Sequence, residues 1–136
     1  MNELTPDSMA SAELVVAPGD LASALPLAST DAFPAVFATA RMVALMEIAS
    51  ARVLQPCLSA GELSVGVSLE VTHSVPTPLG AKVTATARYL GRDGKFYVFH
   101  AVASDAVGEI GRARHKRAIV DVERLESKAS RRVAVS

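Results

Sequence analysis

The chain has 136 residues, enough for one domain with a sizeable core. Half of them are hydrophobic and 14 Lys+Arg balance 14 Asp+Glu, which sets aside whole-chain disorder. That neutral balance also gives no general electrostatic ground for binding nucleic acid or a membrane surface. Cys57 is the single cysteine, so no internal disulfide can form, which fits a reducing compartment. The start, Met1-Asn2-Glu3-Leu4-Thr5-Pro6-Asp7, has no basic n-region, and the apolar stretch 21–28 is short and broken by Pro26. No uncharged apolar run reaches the ~18 residues of a membrane span. The expectation is a soluble, cytoplasmic protein.

In chain order, residues 1–10 are polar and expected to be loose. Residues 12–17 predict a short strand stopped by Pro18-Gly19, and 20–32 an irregular loop or lid. Residues 34–54 predict one long helix, capped by Thr30 or Asp31, with Pro34 in its first turn and an interior rich in Ala, Leu and Met. After Gly61 the period becomes two: Val65, Val67, Leu69 and Val71 alternate with Ser64, Gly66, Ser68 and Glu70, as in a half-buried strand. Pro76 and Pro78 break it. Val83, Ala85, Ala87 and Tyr89 mark a second strand, and Gly91-Arg92-Asp93-Gly94 a hairpin turn. Residues 95–104 are apolar on both faces, as in a central or interface strand, and 110–122 predict the last strand. From Leu125 the tail is polar and basic and is expected to fray, so the domain is expected to span 11–124. Strand, helix, then four strands joined mostly by short turns is an α+β order with antiparallel pairing. One long central helix packed on a mostly antiparallel sheet is the hotdog arrangement, and its open sheet edges make pairing of two subunits plausible.

Two side chains are out of place. Glu47 is the one acid between Phe33 and Gln55, and on a helical wheel its neighbours are Val36, Ala40, Val43, Ala44 and Ala51. Arg41 and Arg52 fall roughly 120–140° away. Either this side of the helix faces water, or Glu47 is buried against a partner distant in sequence. His73 continues the face Val65-Val67-Leu69-Val71 and therefore points at whatever the sheet covers. Its place at a strand end suits proton transfer, though a His bonded to backbone would read the same way. Thr39 precedes Glu47 by two turns and a fraction; a helical Thr by itself usually bonds back to a carbonyl. His100 and His115, mid-strand, read as structural. Arg112, Arg114 and Lys116 share one face of the last strand, and Arg117 shares the other with Gly111, Ala113, His115 and Ile119. Such a basic strand either holds the phosphates of coenzyme A or is a solvated outer face. There is no G-x-S-x-G, Walker loop, G-x-G-x-x-G, C-x-x-C or H-E-x-x-H, and no metal is implied.

At Phe33-Pro34-Ala35-Val36-Phe37-Ala38-Thr39 and Met42-Val43-Ala44-Leu45-Met46-Glu47 the chain resembles the fluoroacetyl-CoA thioesterase family of hotdog proteins. The resemblance continues through Val71-Thr72-His73-Ser74, Thr77-Pro78, Gly108-Glu109-Ile110-Gly111 and His115-Lys116-Arg117-Ala118. It implies metal-independent hydrolysis of a small acyl-CoA, with coenzyme A as part of the substrate and no other cofactor. It also implies a homodimer with active sites near the subunit interface. By position it implies catalytic roles for Thr39, Glu47 and His73, and substrate-binding roles for Phe33, for Gly66 through its main chain and for Arg117. Thr30 and Ile48 stand where the fluoroacetyl-specific member has aromatics, so the lid is expected to be less apolar, and selectivity for fluorinated acyl groups is not implied. A hotdog hydratase or dehydratase, or a non-catalytic acyl-CoA or small-ligand binder, are the alternatives. The expected chemistry uses backbone N–H groups near Gly66 for the oxyanion, His73 for the proton, and Glu47 to orient His73 or to attack.

Overall fold

The computed structural model describes residues 4–133. Five antiparallel strands form one sheet in the order β1-β3-β4-β5-β2, where β1 is Met9–Val15, β2 Glu62–His73, β3 Lys82–Asp93, β4 Phe96–Ser104 and β5 Glu109–Asp121. A single long helix, α1 (Thr39–Leu54), packs on its inner face. This is the expected hotdog fold. β4, apolar on both faces, is the central strand, and β1 and β2 are the edges. Among the described residues no helix is long and apolar enough to cross a membrane.

Close approach of helix and sheet follows from side-chain size. α1 buries Met42, Leu45, Met46, Ala49, Ser50, Val53 and Leu54, a stripe at helical spacing. Beneath it, alanines pair across the inner face: Ala85 with Ala103, Ala87 with Ala101, Ala101 with Ala113. Small residues here let the large side chains of α1 fill the layer at native density. Gly111 extends the device, since a Cβ there would lie 2.7 Å from Met42 Sδ. The polar Ser50 is satisfied internally, its hydroxyl donating to Met46 O at 2.9 Å.

Several expected boundaries move. The helix begins at Thr39 rather than Pro34, and its N-cap is Ala38 rather than Thr30 or Asp31. Residues 33–37 stay out of the helix, with a bend at 35–36, because tertiary partners take their hydrogen bonds: Ser23 N donates to Pro34 O, Ala22 N to Val36 O, and Phe37 N to Thr77 O. β1 starts at Met9, pairing with Arg88, so Met9 and Ala10 lie in the sheet; the first three residues of the expected loose start lie outside the described ones. The tail forms a second helix, α2 (Val122–Ser130), whose N-cap Asp121 accepts from Arg124 N at 2.9 Å. Residues 134–136 of the expected tail lie outside the described ones. The hairpin turns at Gly94-Lys95, while Gly91 sits at an irregularity inside β3, with φ +131°.

One irregularity decides the site. The β2–β5 register slips between Gly66 and Ser68. Before the slip, Ser64 and Gly66 face the helix; after it, Leu69 and His73 do. The face Val65-Val67-Leu69-Val71 read from strict alternation is therefore broken: the extra residue, Val67, reverses the parity and stands 44% exposed.

Candidate active site

α1 presents two polar clusters, one at Thr39 and one at Glu47. At its N-terminus Thr39 Oγ1 lies 2.8 Å from His73 Nδ1. β2 ends at His73, and Ser74 N donates to Ile110 O at 2.8 Å, fixing the strand end against β5. Phe37 meets the imidazole edge-on, with ring centroids 6.4 Å apart. Among the described residues His73 Nε2 is buried without a hydrogen-bond partner. The pair opens on a cavity of about 360 Å³ lined by Pro34, Val36, Phe37, Val75 and Pro76 among others. Phe33, expected to bind substrate, is exposed and is not among the lining residues.

Two turns further along, Glu47 meets β2 and β5. Its Oε1 accepts from Arg117 Nη1 at 3.1 Å and lies 4.0 Å from His115 Nε2. Arg117 is 6% exposed and is pinned to β2, its Nε donating to Ser64 Oγ at 2.9 Å and Nη2 to Ser64 O at 3.0 Å. Burial pulls the guanidinium below the ordinary arginine value, and Glu47 opposes the shift. Gly66 completes the cluster, because any Cβ there would overlap the Glu47 carboxylate. The Glu47 side chain remains 41% exposed. Shallow apolar hollows flank it, one with Val43, Val67 and Leu69, the other with Ala44, Ile48 and Ala51.

The structure thus joins Thr39 with His73 and joins Glu47 with Gly66 and Arg117. Within one chain it does not join Glu47 to His73, the pairing the sequence suggested; eight residues of helix separate Thr39 from Glu47 by about 12 Å. Arg41 and Arg52 engage Asp20 and Ser11 O, so neither partners Glu47, as the helical wheel indicates. Of the basic residues on β5, Arg112 and Lys116 face outward, paired with Glu109 and Asp93. Arg117 faces inward against a carboxylate. His115, read from sequence as structural, belongs to the Glu47 cluster; the available signal was that it shares a strand face with Arg117.

The sheet and its single long helix are the fold of the hotdog thioesterases, and here that fold carries a hydroxyl–imidazole pair beside an apolar cavity. Within that class, the profile of the fluoroacetyl-CoA-specific thioesterase family matches residues 18–123, and the chain belongs to that family. It is 43% identical over 96 residues to the fluoroacetyl-CoA thioesterase of Streptantibioticus cattleyicolor, covering 71% of this chain and 69% of the relative. A solved fluoroacetyl-CoA thioesterase superposes with TM-score 0.89 at 33% identity, covering 98% of this chain and 100% of that one. A thioesterase superfamily member from Thermus thermophilus superposes with TM-score 0.85 at 26% identity, covering 96% and 94%.

Proposed function

We propose that this acyl-CoA thioesterase hydrolyses a short acyl-CoA with Thr39, His73 and Glu47, as a homodimer. The observation that carries the site is the 2.8 Å approach of Thr39 Oγ1 to His73 Nδ1, which is nucleophile-to-base reach. His73 accepts a proton at Nδ1 as the attacking oxygen closes on the thioester carbonyl; that oxygen is that of a water held by Thr39, or that of Thr39 itself, whose acyl ester a water then cleaves by the same route. His73 returns that proton to the departing CoA thiolate. The register slip at Gly66 frees main-chain groups from the ladder, which supports a main-chain N–H as the oxyanion donor there.

Glu47 acts across the subunit boundary. Its separation from His73 within one chain and the apolar hollows on either side of it support this reading. So does the edge position of β2, a twelve-residue strand exposing Leu63, Val67 and Val71. A second copy laid against that edge covers the apolar residues and brings its own carboxylate to the Thr39–His73 pair. The cytoplasm, where Cys57 stays a free thiol, is its compartment.

Purified protein is expected to release free thiol from acetyl-CoA or a related short thioester, and Glu47→Ala and His73→Ala each to abolish release. Loss of the enone absorbance of crotonyl-CoA without thiol release would point to a hydratase instead. Full activity in both variants would sink the site assignment.

A further inference from the structure

His115 is 2% exposed and has no part in the reaction as described, yet both its ring nitrogens are engaged. Nδ1 lies 2.8 Å from Ser68 O, and a carbonyl oxygen only accepts, so Nδ1 bears the proton. Nε2 is left with its lone pair, which accepts from Arg117 Nη1 at 3.1 Å. The same Nη1 carries a second hydrogen and donates it to Glu47 Oε1 at 3.1 Å. The charged and titratable groups facing the ring are Glu47 from α1 and Arg117 from β5; β2 contributes Ser64 and Ser68. Ser68 is the first paired residue after the register slip, so the irregularity beside Gly66 also supplies the carbonyl that selects the tautomer.

We propose that His115 is a positioning residue: held neutral as the Nδ1–H tautomer, it fixes the Arg117 guanidinium, which in turn holds the Glu47 carboxylate over Gly66. The inference rests on Glu47 taking part in thioester hydrolysis. A charged imidazole would aim an N–H at a guanidinium 3.1 Å away and would have to abandon that contact. Burial, as the largest cause, lowers the affinity of the ring for a second proton, with the Arg117 charge acting the same way and the Ser68 bond and Glu47 opposing.

Three variants separate positioning from space-filling. His115→Phe keeps ring volume and loses both bonds; His115→Gln keeps an oxygen able to accept from Arg117; His115→Asn keeps a donor for Ser68 O and loses the acceptor. With acetyl-CoA and free-thiol detection, kcat is expected to fall about 10–100-fold in Phe and Asn, with KM changed less than about threefold. Gln is expected to recover at least about a tenth of the lost rate range, so that Gln exceeds Asn. ¹⁵N shifts of the wild-type ring are expected to report Nδ1 protonated and Nε2 bare, a readout that holds even if His115→Phe fails to fold. Wild-type kcat in folded Phe and Asn variants beside an inactive Glu47→Gln would sink the inference alone, as would a ring protonated at Nε2. Full activity in Glu47→Gln would sink the reading of Glu47 and this inference with it.

Discussion

Gly66→Ala tests the Glu47 cluster with a single methyl group. Gly66 is not at a positive φ, so Ala adopts its backbone without strain, and the main-chain N–H is retained. The new Cβ overlaps Glu47 Oε1 and stands 3.1 Å from His115 Cε1 and 3.6 Å from Arg117 Nη1. The ring and the guanidinium are buried and hydrogen-bonded, so the half-exposed carboxylate is the group that yields. Restoring ordinary carbon–oxygen contact requires it to move by about 1 Å, which breaks its bond to Arg117. Because the carboxylate escapes to water, the stability loss should be about 1 kcal/mol, the low end of overpacking. Activity should suffer more, since a misplacement of about 1 Å costs on the order of 100-fold in rate. Free-thiol release gives kcat and thermal melting gives stability, with Gly19→Ala as the control, since a Cβ there meets nothing within 4 Å. A Gly66→Ala protein that melts and turns over like wild type would refute the placement of Glu47.

Subunit sharing has its own test: refolding inactive His73→Ala with inactive Glu47→Ala should restore about a quarter of wild-type activity, as half the dimers are mixed and each has one intact site. No recovery despite mixed dimers would place all three residues in one chain's site. Gly111→Ala puts a Cβ 2.6 Å from Thr72 O and 2.7 Å from Met42 Sδ, and should lower stability by about 1–3 kcal/mol in denaturant titration. An unchanged midpoint would contradict the tight packing of α1 on β5. Stability should also fall as pH drops below the unfolded histidine value of 6.5. The folded His115 takes up its proton at lower pH, so the unfolded chain binds more protons in that window. Urea melts at about pH 7.5 and about pH 5.5 should show the loss in wild type and a smaller loss in His115→Gln.

Local pattern carried much of this. The order of one strand, one helix and four strands follows from a period near 3.6 giving way to a period of two. The same alternation set Arg117 and His115 on the face of β5 opposite Arg112, Arg114 and Lys116. The oddity of Glu47, an acid on an apolar stripe, was legible as a charge in need of a partner. The partner was not, because Arg117 lies 70 residues away and only the β2–β5 pairing carries it to the helix. Thr39, unremarkable as a helical threonine, reaches His73 across 34 residues of chain. Its place as the first residue of α1 was hidden because Pro34 suits a first turn, whereas Asp20 to Ser23 and Thr77 claim the backbone groups around it. His73 was assigned the helix-facing side through a count that the slip after Gly66 reverses for Val65 and Val67. Sequence by itself determined the five strands and the long helix, their order and the chemical types available, since periodicity and turn chemistry are local. Register, the added residue in β2 and the pairing of distant side chains were decided by tertiary structure alone, since they depend on which strand lies beside which.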